Sequence, residues 1–107
     1  MGDYLKRFLS YLCALAWLAD NEVDEESAER VLPVVEIVFD FVQELGKLRG
    51  AIKLGLKDLN EINRLKDEFY ECWNEVGEKF GDEPKLLKLL NKLFEEVKEM
   101  FDEPVLS

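Results

Sequence analysis

Histidine and threonine are missing from this sequence altogether, serine occurs only at positions 10, 27 and 107, and there are only two cysteines. Each shortage removes a class of chemistry. Without histidine, neither Cys13 nor Cys72 has the usual base to activate it, and both lie in apolar helical stretches that hold a thiol protonated. The Cys/His donor sets of ordinary zinc sites cannot be assembled. Gly46, Gly50 and Gly55 are spaced within helical sequence rather than after a strand, so no phosphate-cradling loop is present. The cysteines make no CxxC pattern and are expected as two buried small hydrophobes, with a disulfide open only if two helices bring them together. No catalytic residue and no organic cofactor is expected.

A long hydrophobic run is lacking too. The longest, from Phe8 to Ala19, is broken by Ser10 and closed by Asp20, which is short of a membrane span. Lys6 and Arg7 precede it, but Trp17 and Leu18 stand where a signal peptidase needs small residues, so no cleavable leader is expected. The length suits one domain, residues 1–107, expected in the cytoplasm. Clustered basic residues are scarce as well. The formal charge is −10, of which residues 20–30 carry −5, while residues 31–54 are neutral. Nucleic-acid backbones and anionic membranes are therefore excluded as expected partners. A basic protein or a cation fits the charge.

What the chain does have is helical period. Apolar residues make up 48% and charged residues 36%, the balance of a folded domain, and no segment alternates like a strand. A first helix is expected from Asp3 to Ala19. A second is expected to start near Asp24, which can cap it, and to be kinked near Pro33. In "LGLKDLNEI", Gly55 suits a C-cap, and Asp58 with Glu61 suits a capping box. A third helix follows over Leu59 to Phe80, with Ile62, Leu65, Phe69, Trp73, Val76 and Phe80 on one stripe. "FGDEPKLL" then places Gly81 as a stop, Asp82 as a cap and Pro84 in the first turn. The fourth helix carries Leu86, Leu90, Leu93, Val97 and Met100. The expected fold is an all-α antiparallel four-helix bundle.

Two of these helices are too apolar for a simple bundle. On a helical wheel the apolar residues between Val31 and Leu45 cover more than half the circumference. Trp17 falls on the polar side of the first helix. Such an excess belongs either to a central, fully buried helix or to a surface that pairs with another chain. Trp17, Phe39 and Phe41 are the expected anchors of such a pairing, because buried aromatics dominate interface energetics.

Carboxylates are the remaining chemistry. Glu75-x-x-Glu78 and Glu99-x-x-Asp102 match the magnesium-binding letters of all-α nucleotide pyrophosphohydrolases. In a helical hairpin turning near Asp82 the two pairs stand roughly 20 Å apart along the axis, and all four point away from the apolar stripes, so the match is rejected. The run Asp20, Glu22, Asp24, Glu25, Glu26, Glu29 fails as an EF-hand. Its position 6 is Glu25 rather than glycine, and its position 12 is Val31 rather than a bidentate glutamate. A capped, solvated corner is the plain expectation for it, with a looser divalent-cation site as the competing one.

"CALAWLADNEVDEESAERV", Cys13 to Val31, resembles the helix–acidic turn–helix signature of TerB-like tellurite-resistance domains. Ala19, Asp20, Glu22, Val23 and Glu26 match an A-D-G-E-[VI]-x-x-E-E pattern. Asn21 stands for the glycine and Ser27 for the second glutamate. The resemblance covers under a fifth of the chain and has no second copy of the turn. It implies a divalent-cation-binding module of stress or phage-defence assemblies, with Asp20, Glu22 and Asp24 as ligands. Taken together, the sequence predicts a non-enzymatic module acting through a protein partner or as a homo-oligomer. The TerB-like cation module, and an acidic nucleic-acid mimic or engineered binder, are its alternatives.

Overall fold

Proline inside a helix removes one backbone donor and crowds the preceding turn, yet Glu25–Lys53 forms one helix, α1, with Pro33 inside it. The bond lost is the one to the carbonyl of Glu29. Around it, Val31, Val34 and Val38 are all buried on one side of the helix, and their packing holds the chain helical across the missing donor. A computed structural model describes residues 25–103 of the chain, together with Lys6, Leu9, Ser10, Cys13, Ala14, Trp17 and Asn21. The expected cap at Asp24 lies outside the described residues.

α1 ends in a Schellman motif. Gly55 has φ of 76°, its N–H donates to Ile52 O at 3.0 Å, and the Leu56 N–H reaches back to Ala51 O at 2.8 Å. Only a residue without a Cβ adopts that left-handed angle at no steric cost. Asp58 then starts α2, Asn60–Lys79, by accepting the Asn60 N–H on Oδ1 at 2.9 Å. Its expected partner in a capping box, Glu61, instead pairs with Arg64 at 3.7 Å.

The next turn departs from expectation. Gly81 does not take a positive φ, and Glu83 rather than Asp82 occupies the cap position of α3, Pro84–Asp102. Pro84 is the cause. It fixes the first helical residue and keeps the residue before it out of the helical region, so Glu83 stands at φ −128° and ψ 75°.

Three helices are found among the described residues, with no strand, so the fold is all-α. The expected four-helix bundle is not supported. Of the first expected helix, Lys6, Leu9, Ser10, Cys13, Ala14 and Trp17 are helical, and the rest lies outside the described residues. α2 runs antiparallel to both neighbours. Arg30 at the start of α1 meets Lys79 at the end of α2, and Lys66 near the start of α2 meets Asp102 at the end of α3.

The stripes expected on α2 and α3 form the core. Phe69 is fully buried and touches rings from all three helices. Phe41 stands edge-on at 5.5 Å, while Phe94 and Phe101 lie at 5.3 and 5.1 Å. Trp73 stacks on Phe94 at 5.5 Å, and its Nε1–H donates to Asn91 Oδ1 at 2.9 Å. Its polar edge is thereby satisfied where its body is half-buried.

Two arginines of α1 close the C-termini of the other helices. The Met100 carbonyl would ordinarily accept from residue 104, which is proline and has no N–H. The Arg49 guanidinium donates to it instead at 3.2 Å, and to Glu103 O at 2.8 Å. At the other end the Glu83 N–H is taken by Phe80 O. The Lys79 carbonyl accepts from Arg30 at 2.6 Å, while Arg30 also pairs with Glu83 and lies over the Phe80 ring. Each cation meets the negative end of a helix dipole. Arg49 is buried and Arg30 is not, so Arg49→Ala is expected to cost about 1.5–3 kcal/mol and Arg30→Ala about 1 kcal/mol. Urea unfolding checks the order, and equal losses would contradict it.

Lys66 donates to Asp102 at 2.6 Å, and that bond raises the ammonium above its ordinary value despite some desolvation. The pair's stabilisation is therefore full below the ordinary lysine range and fades as pH rises through the raised value. Unfolding midpoints of wild type and Lys66→Met are expected to differ at neutral pH, by no more than about 1 kcal/mol, and to converge at strongly alkaline pH.

Candidate interaction surface

An amphipathic helix with one partner side hides one stripe. Among the described residues α1 packs against α2 and α3 and still leaves apolar residues outside. Val31, Val34, Val38 and Leu45 are buried, and Val35, Phe41, Val42, Leu48 and Ile52 pack partly against the core. Leu32 remains 59% exposed, Ile37 43% and Phe39 43%. α1 is thus not the most buried helix, since α3, Pro84–Asp102, hides more of its residues in a shorter length, and α1 leaves apolar side chains on its outer face.

The three expected anchors separate accordingly. Trp17 is 58% exposed, on a helical turn where the Asn21 side chain donates to its carbonyl at 2.9 Å. Phe39 lies outward, in line with Leu32 two turns earlier. Phe41 turns inward onto Phe69. Phe39 and Phe41 stand about 200° apart around the helix axis, so they cannot share a face.

Leu54, Leu56 and Leu59 carry the largest unanticipated exposure, at 77%, 73% and 54%. All three sit in the turn between α1 and α2. In a Schellman motif the residue after the glycine commonly packs back on the last helical turn. Here the residue waiting is Ala51, too small to cover Leu56. In the sequence the run L-G-L-K-D-L shows three leucines at the turn but not their exposure.

Two depressions flank α1. One, of ≈ 230 Å³, is lined by Pro33, Val34, Ile37, Cys72, Val76 and Phe80, with Arg30 and Lys79 at its rim. The other, of ≈ 410 Å³, mixes Glu44, Lys47, Lys57, Glu61 and Arg64 around Leu48 and Leu65. Neither gathers the convergent carboxylates that a metal needs, and no metal-holding group of acids or cysteines occurs among the described residues. Asp20, Glu22 and Asp24 lie outside the described residues. Glu75, Glu78, Glu99 and Asp102 are all exposed, and Asp102 is engaged by Lys66 at the end of the molecule away from Glu78.

No protein-family model, curated protein or solved structure matches this chain. The surface therefore has to be read from its own chemistry. No described helix is long and apolar enough to cross a membrane.

The cysteines differ from the expectation of two buried residues. Both are free, Cys13 exposed and Cys72 half-buried beside the smaller depression. Burial pushes the Cys72 thiol up, with Glu75 adding to the effect. Native protein treated with an aromatic disulfide reagent at neutral pH is expected to react in two phases, Cys13 fast and Cys72 slow, merging into one in denaturant. A single fast phase in the native state would contradict the placement of Cys72.

Proposed function

We propose that this chain is a non-enzymatic helical module that works by protein–protein contact, most simply by self-association. One observation carries the reading. The core closes around Phe69 without Trp17, Leu32 or Phe39, which stay outside with about half of each exposed to solvent. The part of such side chains that stays open to water is costly unless another chain covers it, and exposed aromatic residues concentrate binding energy when they are covered. The charged residues support a binding role over chemistry. Arg30, Arg49 and Lys66 are spent on helix ends and cross-helix bonds, and Cys72 is held toward its protonated form.

Molar mass by light scattering across a concentration series tests the reading. The wild type is expected to move from monomer to dimer or larger. Phe39→Glu and Trp17→Glu are expected to remain monomeric with unchanged helicity by circular dichroism. A wild type that stays monomeric at millimolar concentration would contradict it.

A further inference from the structure

The exposed apolar residues fall in two places of opposite charge. On the outer side of α1, Leu32 and Phe39 lie beside Glu29, Glu36 and Asp40, all exposed. At the α1–α2 turn, Leu54, Leu56 and Leu59 are interleaved with exposed Lys53 and Lys57. The acid at this turn, Asp58, directs its carboxylate to the Asn60 N–H. The neighbouring Glu61 is paired with Arg64. Among the described residues, no ion pair engages Lys53, Lys57, Glu36 or Asp40. One surface is thus acidic and apolar, while the other is apolar with two lysines, Lys53 and Lys57, against the single carboxylate of Asp58, Glu61 being paired with Arg64.

These surfaces cannot meet within one chain. Asp40 and Lys53 lie on the same unbroken helix, thirteen residues or about 20 Å apart along its axis. Between copies nothing separates them. An anionic lipid surface would also suit a leucine–lysine tip, but a chain of net charge −10 is repelled by it everywhere else. A second copy supplies the acids and the apolar anchors on one helix face.

We infer that the α1–α2 turn of one copy docks on the outer face of α1 of the next. Lys53 and Lys57 face Glu36 and Asp40, and the three leucines pack against Leu32 and Phe39. This deepens the self-association reading and rests on it. The contact is head-to-tail, so each copy keeps one free surface of each kind, and growth continues beyond the dimer unless a ring closes.

Charge reversal tests the contact. Lys53→Glu/Lys57→Glu makes both surfaces acidic, and Glu36→Lys/Asp40→Lys makes both basic. Each variant alone is expected to associate at least about tenfold more weakly than wild type. An equimolar mixture of the two is expected to assemble again, because every contact then joins opposite charges. Circular dichroism checks that both variants are folded. Wild-type association is also expected to weaken as salt is raised, a readout that needs no variant.

A wild type that never associates would overturn the self-association reading and this inference together. Association that survives both reversals and high salt would leave the reading standing and overturn the inference. A wild type that stays monomeric yet floats with phosphatidylserine vesicles, and loses this with Lys53→Glu/Lys57→Glu, would assign the tip to a lipid surface and overturn it as well.

Discussion

The structure turns on the position of Phe69. At its ring α1, α2 and α3 meet, through Phe41 of α1 and Phe94 and Phe101 of α3. Aromatic rings at centroid separations of 5–6 Å contribute beyond the area they bury, and a cluster of this kind fixes the rotation of each helix about its own axis. Once Phe41 points inward, the side of α1 that carries Val34, Val38 and Leu45 must follow it. Phe39, about 200° away, must then face out. The outer surface of α1 is therefore set by the core.

The two arginines fix position along the axes as Phe69 fixes rotation. Arg30 and Arg49 sit nineteen residues apart on one helix and reach carbonyls at opposite ends of the hairpin that α2 and α3 form. A slip of one turn in α2 would take the Lys79 carbonyl from Arg30, and a slip in α3 would take the Met100 and Glu103 carbonyls from Arg49, leaving the buried Met100 carbonyl without a donor. The length of α1 serves this purpose. A shorter helix could cover the aromatic cluster but could not close both ends. The stretch of α1 that this span exposes is where an interaction surface becomes available.

Periodicity made much of this legible. The stripes from Ile62 to Phe80 and from Leu86 to Met100 were readable because each helix has one buried side, and Gly55 because only glycine suits its backbone angle. The arginine closures were not, since their acceptors lie about fifty residues away and are backbone atoms that carry no residue signal. The choice between Phe39 and Phe41 was hidden for a different reason. Both flanks of α1 are apolar, so the pattern cannot say which one the core takes. Asp82 looked like the cap because its side chain suits the role, but the rigid ring of Pro84 moved the cap to Glu83. The exposure of the turn leucines is not legible in the sequence, because hydrophobic residues beside a helix end ordinarily pack against it.

The central claim is that α1 has two apolar sides with different duties, one closing the core and one meeting another chain. Methyl resonances report this directly, recorded from dilute to concentrated protein. The account predicts that the Leu32 methyls shift with concentration while those of Val38, buried six residues further along the same helix, stay where they are. Leu32 and Val38 shifting together, or neither shifting as the concentration rises, would contradict it.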